Sequence, residues 1–157
     1  MKVSKKNIDK VLSLYKPNYR FLEEVDIEFP CAMGKFRLKE AEYVETLRHV
    51  TDIEAQLCLN QLSYVFFGQQ IIDRRWQDIK NLSFDEYLNL RKEDMFIVES
   101  KKKFVREIDS LSAFSGEIKL LDMKKIRRIH LASLDFSLND GACYGSLKLV
   151  LRIKDNL

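Results

Sequence analysis

Three features of the sequence predict an α+β fold in which one twisted antiparallel sheet wraps a single long helix. The first is the stretch Thr51 to Asp73, TDIEAQLCLNQLSYVFFGQQIID. Ile53, Leu57, Tyr64, Phe67 and Ile71 recur at steps of three or four, with Asn60 on the same line, while Leu59, Leu62 and Phe66 make the other side apolar. A helix that is apolar nearly all round is wrapped by other structure. The second feature is the period-two alternation that begins beyond Asp94 and continues to the end of the chain. The third is Asn139-Asp140-Gly141, a tight-turn signal joining two such alternating runs.

The elements follow in order. Ser4 to Tyr15 places Ile8, Val11, Leu12 and Tyr15 on one stripe, a short helix capped by Ser4 and closed before Pro17. From Tyr19 to Phe29 apolar residues alternate loosely among acids until Pro30, and Met33 to Lys39, with Gly34, suggests a short strand. Ala41 to Val50 leads into the main helix. Thr51 and Glu54 have the spacing of a capping box, in which each side chain satisfies a backbone amide of the first turn. Ser83 and Glu86 repeat that spacing ahead of a short helix through Arg91. Phe96, Val98, Ser100 and Lys102 then alternate with Ile97, Glu99 and Lys101, in a long strand that continues through Phe104 to Ile108. Phe114 to Asp122, Arg128 to Leu138 and Ala142 to Ile153 supply three more strands. One sheet around one buried helix accommodates all of these, an architecture of hot-dog type.

Composition bounds the function. At 157 residues, with 46% hydrophobic and 32% charged residues but only 5 Gly and 2 Pro, the chain fits a single domain over residues 1–157 with little room for disordered linkers. No run is apolar enough to span a bilayer, and the N-terminus lacks an apolar core followed by a small-residue cleavage site, so export is not expected. Three unpaired cysteines, Cys31, Cys58 and Cys143, point to a reduced, cytoplasmic protein. With His49 and His130 the only histidines, no metal site and no cofactor are expected. The net charge of +3 makes no demand for nucleic acid, and no aromatics interleave with the basic runs as a stacking platform.

A buried helix carrying Asn60, Gln61 and Tyr64 needs partners for them. At its N-terminus, free amides and partial positive charge suit a developing oxyanion on a thioester carbonyl. Tyr43, His49, Thr51 and Glu54 lie at the helix entry, and Asn60 and Tyr64, four apart, are neighbours further in. Glu54 and Gln61 lie on almost one line of the helix, a quarter to a third of a turn away.

The run Thr51 to Tyr64, with Glu54, the Asn60-Gln61 pair and Tyr64, resembles the signature of the FcoT-type thioesterases, a hot-dog family acting on long-chain acyl thioesters. Phe104 to Ile118, FVREIDSLSAFSGEI, is similar to that family's following strand pair. The resemblance implies an acyl pocket at the interface of a homodimer or larger homo-oligomer, with Tyr43, Asn60 and Tyr64 contacting the substrate. Thr51 departs from the Asn implied there and offers one hydroxyl in place of an amide. The family also resembles enzymes that add glycine to an α,β-unsaturated acyl chain on a carrier protein in isonitrile lipopeptide synthesis.

The expected activity is hydrolysis of a fatty acyl thioester on coenzyme A or an acyl carrier protein. Asn60, Tyr64 and Glu54 are the catalytic candidates, and Tyr43, His49, Thr51, Gln61, Lys103 and Arg106 the substrate-binding ones. Addition of glycine or another amino acid to an enoyl chain is the alternative, with Arg106 or one of Lys101 to Lys103 holding the amino-acid carboxylate. A non-catalytic acyl-binding subunit is a third reading. Bland roles stand beside each: Glu54 as a cap, Asn60 and Gln61 as a hydrogen-bonded pair fixing a dimer register, Tyr43 and Tyr64 as core aromatics. His130 on an apolar strand face reads as structural. The basic runs Lys101 to Arg106 and Lys124 to Arg128 read as solvated strands, or as a mouth attracting coenzyme A phosphates or an acidic carrier protein.

Overall fold

The computed structural model describes residues 1–39, 43, 46 and 48–153. Its elements run α1 (Lys5–Leu12), β1 (Leu22–Glu28), β2 (Cys31–Phe36), α2 (Asp52–Ile72), α3 (Phe84–Glu93), β3 (Met95–Phe104), β4 (Phe114–Ile126), β5 (Ile129–Leu138) and β6 (Cys143–Arg152). The strands form one six-stranded sheet in the order β1-β2-β4-β5-β6-β3, with every pairing antiparallel. Inward residues of the sheet, among them Phe36, Ile118, Leu134, Leu147 and Leu149, join Leu59, Leu62, Val65, Phe66 and Phe67 of α2 in one buried core. The fold is the hot-dog arrangement. Each such large apolar side chain contributes roughly 1.5–3 kcal/mol on burial. No helix among the described residues is long and apolar enough to cross a membrane.

Local chemistry sets the ends of the helices. Ser4 caps α1 by accepting from the Asn7 amide at 3.2 Å. The helix ends at Leu12, so Tyr15 lies beyond it rather than in its last turn. Arg91 of α3, 2% exposed, closes α1 by donating to the carbonyls of Val11 at 2.9 Å and Lys10 at 3.1 Å. Thr51 and Ser83 form the two expected capping boxes with Glu54 and Glu86. The expected lead-in over Ala41 to Val50 lies largely outside the described residues. Of it, Val50 donates its amide to Ile108 at 2.9 Å and His49 forms an isolated bridge with Asp109.

Two departures from the sequence reading concern β3. The strand stops at Phe104, and Ile108 pairs instead with the segment before α2. Within it, Ile97 faces Leu149 but Glu99 faces Lys148, so Val98 is an extra, bulged residue. The bulge resets the alternation: Met95 and Ile97 face the core, and beyond it Ser100 and Lys102, opposite Leu147 and Gly145, turn to Gln56 of α2. Gly145 is required there, because a Cβ would lie 1.8 Å from the Lys101 carbonyl oxygen.

Candidate functional site

The polar residues of α2 lie on two different sides. Glu54 and Gln61, seven apart, are offset by only about 20°, whereas Asn60 is about 120° from Glu54. On the first side Glu54 is 1% exposed. Its carboxylate accepts the Thr51 amide at 2.7 Å, the Thr51 hydroxyl and the Tyr43 hydroxyl. Burial opposes its charge, but those donors outweigh burial and hold its pKa below the ordinary carboxylate value. Tyr43 is exposed and stacks on Tyr19 with centroids 6.3 Å apart; burial of its hydroxyl and the neighbouring Glu54 charge push the phenol pKa up. Gln61, fully buried, accepts the amides of Phe21 at 2.9 Å and Leu22 at 3.1 Å and donates to the Tyr19 carbonyl at 2.7 Å. It ties α2 to the start of β1.

The second side is built differently. Gln56, Asn60 and Tyr64, each four residues from the next, line a cavity of about 320 Å³ whose other walls are Phe96 and Ile97 of β3 and Leu149 of β6. The amide orientations follow from one cation. The Lys102 ammonium has only donors, so it faces the Gln56 oxygen Oε1, at 2.5 Å. Gln56 Nε2 is thereby turned to Asn60 Oδ1, at 2.9 Å. The Asn60 NH₂ group is left to donate elsewhere, and it lies beside the Tyr15 hydroxyl, whose ionisation burial suppresses. Burial likewise raises the Tyr64 pKa, with Arg91 opposing it more weakly, so the phenol stays protonated at neutral pH. Its hydroxyl has no partner among the described residues, while its backbone carbonyl is held by Tyr87 at 2.6 Å. Asn60 and Tyr64 are thus two neighbouring donors on a cavity with apolar walls, suited to polarising a carbonyl.

The structure therefore divides the expected site residues. Asn60 and Tyr64 share the cavity; Glu54, Thr51, Tyr43 and Gln61 form the separate cluster on the other side of α2. Gln61, expected to bind substrate, is instead consumed by backbone groups. His49 is exposed, in its bridge with Asp109. Lys103 is exposed opposite Tyr144 on the outer face of the sheet, because the bulge turns Lys102 inward in its place. Arg106 clasps the β5–β6 turn, donating to the carbonyls of Asn139 at 3.1 Å and Asp140 at 3.0 Å, which removes it from the cavity. His130 is buried with Nε2 2.8 Å from the Asp78 carboxylate. Two further hollows, of about 370 and 720 Å³, lie against the outer side of β1 and β2 beside Asp26 and Met33 and hold none of these residues.

Gln56 had no place among the expected site residues, and Lys102 stood there only as one of the run Lys101 to Lys103. The signal for Gln56 was its four-residue step from Asn60. For which lysine of that run turns inward there was none, since a bulge leaves no mark in residue types.

A model of the FcoT-like thioesterase domain matches residues 10–151. The chain belongs to that family. Among curated relatives, this FcoT-like chain is similar to the (2E)-enoyl-ACP glycyltransferase of Mycobacterium marinum, 27% identical over 97 residues, which is 62% of this chain and 52% of that protein. It is similar to the enzyme of the same name from Mycobacterium tuberculosis at 26% over the same coverage. The match spans about half the length of these relatives. In structure the FcoT-like fold is similar to the dehydratase domain of RzxB from Pseudomonas fluorescens, with TM-score 0.57, 10% identity and coverage of 97% of this chain and 47% of that one. It is also similar to a hypothetical thioesterase with coenzyme A from Streptococcus pneumoniae, with TM-score 0.51, 9% identity and coverage of 94% and 96%. At such identities the structural likeness shows the fold alone.

Proposed function

We propose that this FcoT-like chain is an enzyme of acyl thioesters that adds the amine of an amino acid across the double bond of an α,β-unsaturated acyl chain on a carrier protein. The carrying observation is the Asn60–Tyr64 pair on the cavity, with the Asn60 amide turned by Gln56 so that its NH₂ group, which meets the Tyr15 hydroxyl with one N–H, has a second to offer a carbonyl. Donors to a thioester carbonyl oxygen stabilise the enolate that forms when an amine attacks the β carbon. The amine lone pair makes the C–N bond, and the π pair moves onto the α carbon and carbonyl oxygen. The proton lost from nitrogen balances the one gained at the α carbon. No oxidant is needed, and the thioester stays intact. The names of the curated relatives support the same class of reaction.

Hydrolysis is the second reading, favoured by membership of the thioesterase family. It needs a water activated at the carbonyl carbon, and the carboxylate expected for that task, Glu54, is engaged by Thr51 and Tyr43 on the other side of α2. An amino acid that has lost its ammonium proton to solvent is a far stronger nucleophile than water and attacks without a carboxylate base. A second copy of the chain is proposed to cover the open side of the cavity, where the lining residue Phe96 is 41% exposed; light scattering of the purified protein checks it.

Mass spectrometry tests the reaction. The protein is incubated with saturated and 2-enoyl thioesters, on coenzyme A and on a carrier protein, with and without glycine. The expected product is a carrier-bound adduct with the summed mass of enoyl thioester and glycine, absent with Asn60→Ala. Free acid from saturated thioesters, lost with the same variant, would establish hydrolysis instead. Acyl binding with no turnover would leave a binding subunit.

A further inference from the structure

An amino acid carries a carboxylate as well as an amine, and a largely buried cation, Lys102, bonds the cavity residue Gln56. The Lys102 side chain is 9% exposed, and its ammonium donates to Gln56 Oε1 at 2.5 Å and Ser100 Oγ at 2.6 Å. Its remaining partner is the carboxylate of Asp52, 3.2 Å away on a side chain that is 72% exposed. Two of its three donors are thus held by the walls, and the third meets a carboxylate that comes from the solvent side. We propose that Lys102, framed by Ser100 and Gln56, is the subsite for the carboxylate of the amino-acid nucleophile, with Asp52 occupying it in the free protein. This rests on the amine-addition reading above.

The spacing fits. In the adduct, five bonds separate the thioester carbonyl carbon from the carboxylate carbon, about 6 Å when extended. Gln56, which carries Lys102, is one helical turn from Asn60, also about 6 Å along α2. A thioester carbonyl at Asn60 and Tyr64 therefore places the carboxylate of an attacking α-amino acid at Lys102. Replacing Asp52 costs little, since an ion pair with one solvated partner is weak, and the incoming carboxylate restores the charge balance. Longer ω-amino acids set the carboxylate too far from the β carbon, so the subsite selects short α-amino acids.

The test is the ratio of kcat/KM for glycine to that for glycinamide, which keeps the amine and loses the charge. Any loss transmitted through Gln56 to Asn60 affects both amines and cancels in the ratio. Lys102→Met is expected to lower the ratio at least tenfold, with Lys102→Arg restoring part of it. Asp52→Asn, a surface change that leaves the fold intact, is expected to raise it by lowering KM for glycine. A ratio unchanged in both Lys102→Met and Asp52→Asn overturns the subsite while leaving amine addition standing. Should the native protein form an adduct with neither amine, the reaction assignment falls first and the subsite with it.

Discussion

The two polar sides of α2 use similar residues to opposite ends. On one, Gln61 and Glu54 each take up several donors and acceptors from the protein itself, so nothing is left for a ligand. On the other, Gln56 and Asn60 also bond each other, but in a chain that runs from Lys102 to the Tyr15 hydroxyl along the wall of a cavity, beside a Tyr64 hydroxyl with no partner among the described residues. Being polar and buried in a helix therefore says little about function. What matters is whether the hydrogen-bond chain closes on the backbone or ends at a space.

The contrast can be broken or sharpened by substitution. The largest effect is expected on the closed side: Gln61→Leu leaves the amides of Phe21 and Leu22 and the Tyr19 carbonyl buried without partners, at roughly 1–3 kcal/mol each before relaxation. Urea unfolding should show a loss of about 3 kcal/mol or more, a large fraction of the stability of a domain of this size. On the open side Asn60→Ala should lower turnover by about 100-fold, the usual scale for one oxyanion donor, with an unfolding midpoint close to that of the native protein. A loss of stability comparable to that of Gln61→Leu would erase the distinction between the sides. Glu54→Gln should cost about 1 kcal/mol near neutral pH, as for a lost cap, and change turnover less than about threefold. Because Glu54 has a folded pKa below the ordinary 4.5, its charge contributes stability above that value and loses it as pH falls through the folded pKa. The gap between native and Glu54→Gln unfolding curves should accordingly close on acidification; a gap constant down to strongly acid pH would show that the carboxylate charge plays no part.

Much of the fold was legible because its signals are local. Thr51 with Glu54, the apolar circumference of α2, the alternation of β5 and the Asn139-Asp140-Gly141 turn each declare themselves within a few residues. At that turn Asn139, Asp140 and Gly141 adopt φ of 47°, 52° and 79°. Asn60 and Tyr64 were legible as misfits in an apolar helix. Gln61, Lys103 and Arg106 lie away from the cavity for a common reason: each is placed by a partner far along the chain, at Tyr19 to Leu22, at β6 and at the β5–β6 turn. Residue types do not announce such partners. Which of Lys101 to Lys103 turns inward was hidden by geometry, since period-two reasoning carried across Val98 puts Ile97 and Lys102 on opposite faces.

The bulge at Val98 has a further consequence for how such a chain can change over generations. Loss of a codon within a strand ordinarily exchanges inner and outer residues on one side of the deletion. Val98 is already skipped by the pairing, so its deletion would leave Ile97 against Leu149 and Ser100 against Leu147, and Lys102 would still face the helix. The strand would, however, become straight along its free edge, and a straight free edge is a better template for another strand than a bulged one. One dispensable residue thus uncouples two properties that a β-strand normally inherits together: which side chains it presents, and how readily its edge accepts a neighbour.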